Sequence, residues 1–123
     1  MKILLDSSAW IEYLTGGPLA DQYTPYLTSR YSIVTPTIVL YEVYKKIKRD
    51  RGEEMAITLT AQLQGTEVVP LTESIAYLAA DVSLRHGLAM ADAIVYATAQ
   101  DHHVDVVTGD ADLKELPGVV YVK

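Results

Sequence analysis

The residues Lys2-Ile3-Leu4-Leu5-Asp6-Ser7-Ser8 constrain this chain more than any others. Three apolar residues in a row end abruptly in a carboxylate and two hydroxyls, and an amphipathic stretch, Ala9 to Leu14, follows. The pattern reads as a short buried strand running straight into a helix. Asp6 then stands at the carboxyl end of the strand, where open α/β sheets gather their ligands.

The remaining punctuation extends this reading. Thr15-Gly16-Gly17-Pro18 stops the first helix, because glycine terminates helices and proline cannot continue one. Leu19 to Ser29 reads as a second helix with Pro25 inside it, and Tyr31 to Val34 as a second strand. Thr35-Pro36-Thr37 opens a long helix, with Thr35 expected as N-cap and Pro36 at the first helical position; it ends at Gly52. Glu53 to Gln64 is a further helix and Thr66 to Val69 a third strand. Thr72 to Arg85 carries Ile75, Leu78, Ala79 and Val82 at helical spacing, and Gly87 closes it. Met90 to His102 is helical. Val104 to Thr108 is a fourth strand, Asp110 to Leu116 a short helical turn, and Val119 to Val122 a fifth strand. Strands separated by helical patterns pair in parallel through crossovers. The expected architecture is a three-layer α/β/α sandwich with about five parallel strands, the first and fourth adjacent at its centre. The 123 residues make one domain, 1–123, without repeat or linker.

Charge narrows the function. The formal net charge is −6. Proteins that grip long nucleic acid by charge alone are basic, so a nucleic-acid role here requires a local site with bound cations. There is no cysteine, hence no thiolate nucleophile or thiolate metal site, which suits a reducing cytoplasm. No apolar run is long enough to cross a membrane, and the apolar tract that breaks at Asp6 does not read as a secretory signal.

Acids isolated in apolar surroundings are the informative ones, since unpaired charges are rarely buried. Glu42 is the only charged residue from Tyr31 to Tyr44, and Asp92 the only one from Gly87 to Gln100. Asp6 closes the first strand, and Asp110 follows the fourth in Thr108-Gly109-Asp110. Each aspartate, taken singly, also reads as a helix cap or a dipole-complementing acid. Glu42, inside its helix, does not. Gathered at one sheet edge, four carboxylates would repel and their pKa values would rise unless a cation sat among them. Oxygen-only ligation suits Mg²⁺ or Mn²⁺, and two such ions promote in-line phosphodiester displacement.

These residues carry a family resemblance along the whole chain. The apolar strand ending in Asp6-Ser7-Ser8, Glu42 in the helix after the second strand, Ala91-Asp92-Ala93 leading to Ala97-Thr98-Ala99, and Val106-Val107-Thr108-Gly109-Asp110-Ala111-Asp112-Leu113 resemble the PIN-domain ribonucleases. Within that family they are most similar to the small stand-alone VapC-type toxins. Leu113 departs from the phenylalanine the family often has. The resemblance implies an endonuclease that uses Mg²⁺ or Mn²⁺ to cut single-stranded or loop RNA. Asp6, Glu42, Asp92 and Asp110 would be its catalytic and metal-binding acids. Ser7 and Thr108 would be hydroxyls that orient them, and Asp112 an assisting acid or a solvated turn residue. It also implies a homodimer and a cognate antitoxin with a basic segment.

Other features have plainer readings. Lys45, Lys46, Lys48, Arg49 and Arg51 either contact RNA phosphates or complement the end of a helix dipole. His86, His102 and His103 read as helix ends, and Trp10 as core or dimer interface. Two rival functions are a receiver-type phosphoacceptor domain and a catalytically inactive PIN-like binding module. A receiver would need paired acids after the first strand, where this chain has serines.

Overall fold

Ile3, Leu4 and Leu5 leave no face of their strand polar, and a strand of that kind is stable only between two layers. The computed structural model, which describes residues 1–28 and 31–123, puts it there. Leu4 and Leu5 are fully buried in the central strand, β1 (Lys2–Leu5). The chain continues through α1 (Ser7–Leu14), α2 (Ala20–Thr28), β2 (Ser32–Pro36), α3 (Thr37–Arg51), α4 (Glu53–Gln64) and β3 (Glu67–Val69). Then come α5 (Glu73–His86), α6 (Met90–His102), β4 (Asp105–Thr108), a 3₁₀ turn (Ala111–Leu113) and β5 (Val119–Tyr121). The expected end of the second helix at Ser29 lies outside the described residues.

The sheet order is β3-β2-β1-β4-β5, and every pairing is parallel. With helices packed on it, the sheet is the middle of a three-layer α/β/α fold. From β1 the chain moves outward through β2 and β3, then returns to β4 on the other side of β1. Strand order thus reverses between β1 and β4, and the crevice beyond their carboxyl ends is the topological switch point. A receiver-type sheet has the order β2-β1-β3-β4-β5, so that rival does not fit this chain. The register pairs Leu5 with Val107, and the Asp6 amide adds a bond to the Val107 carbonyl at 3.3 Å. Asp6 and the Thr108-Gly109-Asp110 segment therefore leave the sheet side by side.

One expectation is corrected. Thr35 does not cap α3. It is still in β2, paired with Val68, and its hydroxyl lies 2.6 Å from that of Thr66. Pro36 occupies the N-cap position with extended backbone (ψ 145°) and no side-chain bond. Proline's fixed φ suits either a strand end or a helix start, so the boundary moves by one residue.

Helix α6 sets the position of Asp92. Residues Ala93 to Ala99 are all buried, so the helix is enclosed rather than amphipathic. Its alanines permit close packing, Thr98 returns its hydroxyl to the Ile94 carbonyl (2.7 Å), and Tyr96 donates to the Pro117 carbonyl (2.6 Å). Trp10 is core, 1% exposed, and its indole N–H is the one buried side-chain polar atom without a partner among the described residues. No helix is long and apolar enough to cross a membrane, among the described residues.

If β1 is the keel of the core, Leu4→Ala should lower the unfolding free energy by about 2–5 kcal/mol in urea titrations. Leu84→Ala, at an 87% exposed position, should change it by less than about 0.5 kcal/mol.

Candidate metal centre

Asp6 is the N-cap of α1, a role its short acceptor side chain suits, and it is only 4% exposed. One carboxylate oxygen accepts from the Ala9 amide (3.0 Å) and the Ser8 hydroxyl (2.8 Å). The other accepts from the Thr108 hydroxyl at 2.5 Å. Thr108 Oγ1 in turn accepts from the Asp110 amide (2.8 Å), and Ser8 Oγ from the Gly109 amide (3.2 Å). Two hydroxyls thus tie the ends of β1 and β4 together around one buried carboxylate. Burial pushes the Asp6 carboxyl above its ordinary value, the bonds from Thr108, Ala9 and Ser8 pull it back, and the charge of Asp110 pushes it up again.

Asp110 caps the 3₁₀ turn, its Oδ1 accepting from the Asp112 amide at 2.9 Å. Asp92 lies in the first turn of α6, whose N-cap is Ala89. Carboxylate oxygens of Asp92, Asp110 and Asp112 lie within 4.8 Å of one another. The Asp92 carboxyl is pushed up from 3.8 to about 7 by burial, then by the charge and hydrogen bond of Asp110, then by the charges of Asp6 and Asp112. Acids crowded in this way keep a proton at neutral pH or take a cation in its place. The donor set is oxygen alone, which fits Mg²⁺ or Mn²⁺ and does not fit a thiolate- or imidazole-seeking metal.

Of the predicted acids, Asp110 and Asp92 meet directly, and Asp6 acts on both from behind. Asp112, which the sequence left open as a solvated turn acid, has its carboxylate in the converging set. Glu42 does not belong to that set. It lines a neighbouring cavity together with Ser7, the residue after Asp6. Thr108 has the orienting contact expected of it. The serine that bonds Asp6 is Ser8, where Ser7 was expected. Successive helix residues point about 100° apart, and a Ser-Ser pair does not say which one turns back to the cap.

Tyr23 was not anticipated at all. It is 1% exposed, and its phenol is pushed up to about 12 by burial and by the charges of Asp6, Glu12 and Tyr121. A Cβ on Gly109 would come 2.9 Å from the Tyr23 hydroxyl oxygen. The Thr-Gly-Asp turn is therefore glycine because a tyrosine from α2 closes over it.

Two outcomes follow from this geometry. Gly109→Ala should cost about 1–3 kcal/mol of stability, and Tyr23→Phe, which removes the obstructing oxygen, should recover part of that cost in a double-mutant cycle. Asp92 binds its proton more tightly folded than unfolded, so the metal-free fold loses stability as pH rises from about 4 to about 7. Asp92→Asn should therefore raise the thermal midpoint in EDTA by roughly 4 °C near pH 8 and hardly at all near pH 4. Mn²⁺ should stabilise the wild type far more than this variant. Equal midpoints for both proteins across that range would contradict the assignment.

Comparison with known proteins bears on the family and the fold. The family model for the PIN domain matches residues 3–119. No curated protein sequence matches. Among solved structures, VapC20 of Mycobacterium tuberculosis, described as a sarcin-ricin loop cleaving toxin, superposes with a TM-score of 0.81 at 20% identity over 98% of both chains. A toxin–antitoxin complex from Klebsiella pneumoniae gives 0.78 at 24% identity, over 96% of this chain and 95% of that one. VapBC2 of Rickettsia felis, bound to a DNA fragment from its promoter, gives 0.76 at 14% identity over 99% and 98%. At these identities the superpositions establish a shared fold.

Proposed function

The chain belongs to the PIN-domain family, and from that premise we propose that it is an Mg²⁺- or Mn²⁺-dependent endoribonuclease that cuts single-stranded or loop RNA, the toxin of a toxin–antitoxin pair. The observation that carries this reading is the convergence of Asp92, Asp110 and Asp112 in front of Asp6 at the β1/β4 switch point. A structural cap needs one acceptor oxygen. It does not need further acids crowded against it at a cost in charge repulsion.

In this reading Asp6, Asp92 and Asp110 hold the ion, Asp112 borders it, and Glu42 contributes from the side of α3. Bound there, Mg²⁺ or Mn²⁺ supplies Lewis acidity toward water and phosphate oxygens, and it offsets the charge of substrate and protein together. The residues supply the rest. Ser8, Thr108 and the Ala9 amide fix the rotamer of Asp6, so its oxygens do not reorganise as charge develops. Asp92, whose proton affinity is raised by burial and by the charge and hydrogen bond of Asp110, would give up that proton to a bound cation. Below that range the proton competes with the cation, so activity should fall as pH is lowered through about 7.

The superposed toxin–antitoxin structures support a cognate antitoxin as partner, and a chain of net charge −6 suits a basic antitoxin segment. Homodimerisation and a cytoplasmic location belong to the same proposal.

Purified protein should cleave unstructured RNA with Mg²⁺ or Mn²⁺ and stop in EDTA. Asp6→Asn and Asp92→Asn should each lower the rate by roughly a thousand-fold, since each removes several kcal/mol of charge stabilisation. Thr108→Val should cost about 10–100-fold, the usual penalty for losing an orienting partner. Wild-type rates in the two asparagine variants would refute the site.

A further inference from the structure

Beside the acids, the seam between α1 and α3 opens into a cavity of about 290 Å³ lined by Ser7, Tyr41, Glu42, Lys45, Lys46 and Arg49, among others. Ser7 joins it to the acidic centre, because Ser7 follows Asp6 in the chain. Tyr41, Lys45 and Arg49 fall in one row of α3 at four-residue spacing, and Glu42 and Lys46 in the next. Arg49 lies about 10 Å along the helix from Glu42. The row leads away from the acids.

The cations along it exceed the anions. Lys46 and Arg49 share a single carboxylate, Asp50, at 3.0 Å each. Lys45 has no ion pair among the described residues. Its ammonium donates to the Tyr41 hydroxyl (3.2 Å) and sits 5.3 Å from the centre of the Tyr41 ring. Tyr41 is 57% exposed, on a helix whose apolar face is filled by Val39, Val43 and Ile47, so its ring is open to a ligand. Cations strung along a groove beside an open aromatic ring are the two elements by which proteins hold single-stranded nucleic acid: charge follows the backbone and the ring stacks a base. In a chain of net charge −6, such a local excess of positive charge does not arise from general composition.

We infer that the α1–α3 seam is the track for the RNA strand flanking the cleaved bond, with Lys45, Lys46 and Arg49 on its phosphates and Tyr41 stacked on a base. The inference rests on the nuclease reading and names where its substrate lies. An acidic peptide would satisfy the lysines but would leave the Tyr41 ring without a stacking partner.

The test is binding of a short fluorescein-labelled single-stranded RNA, by anisotropy, to Asp92→Asn protein and to the same protein carrying Lys45→Ala or Tyr41→Ala. Lys45→Ala should weaken binding about tenfold and reduce the slope of log K against log salt by about 0.7, the value for one phosphate contact on a single strand. Tyr41→Ala should weaken it by a similar factor with the slope unchanged, and Lys45→Arg should restore the slope. Unchanged affinity and slope in Lys45→Ala, with wild-type protein still cutting RNA, would overturn the track and leave the nuclease reading standing. Wild-type protein that neither binds nor cuts RNA would overturn both. Tight binding of labelled polyglutamate with no RNA binding would show the seam to be a peptide site and refute the inference.

Discussion

The contact on which this structure depends is the clasp of one buried carboxylate by the opposite side of the sheet switch. The Asp6–Thr108 bond joins the ends of two strands that are 102 residues apart in the chain. It does so at the place where strand order reverses. The same threonine oxygen receives the Asp110 amide, and the same aspartate starts α1. Helix initiation, strand register and orientation of the acids are therefore one event. A buried charge is tolerated only with such partners, and here the partners are the backbone and hydroxyls of the elements that the charge must hold in place.

Behind that clasp lies a core that can bear an electrostatic cost. Asp92, Asp110 and Asp112 gain nothing for the metal-free fold by standing together. The compensation is apolar: β1 is sealed on both faces, and α6 is buried along seven consecutive residues immediately after Asp92. The backbone of Asp92 is therefore held by the packing of α6. The crowding appears as a raised proton affinity of Asp92.

Much of this was legible in the sequence, and the parts that were not share a cause. Asp6 and Asp110 were readable because strand ends are marked by an abrupt change from apolar to polar. Asp92 and Glu42 were readable as lone charges in apolar runs. The plain reading of two of the aspartates holds in the structure, since Asp6 caps a helix and Asp110 a 3₁₀ turn. Local patterns did not yield rotational phase or long-range approach. Ser8 rather than Ser7 faces the cap because of where the axis of α1 points. Glu42 stands in the neighbouring cavity, a placement set by the rotational phase of α3, which a lone charge in an apolar run does not report. Tyr23 reaches Gly109 only after the chain has folded back across 86 positions. The basic residues of α3 read in the sequence either as phosphate contacts or as the complement of a helix dipole, and their ion pairs become visible only in the structure.

The double use of Asp6 and Asp110 carries a consequence for how such a chain diversifies. Asparagine keeps an oxygen that can start the helix or turn and loses the charge that would hold a cation. A single nucleotide change at either codon therefore separates architecture from chemistry. Relatives that retain this shape while abandoning catalysis should have passed through carboxamides at these two positions, keeping the capping oxygen while one acceptor at the Asp6 position becomes a donor.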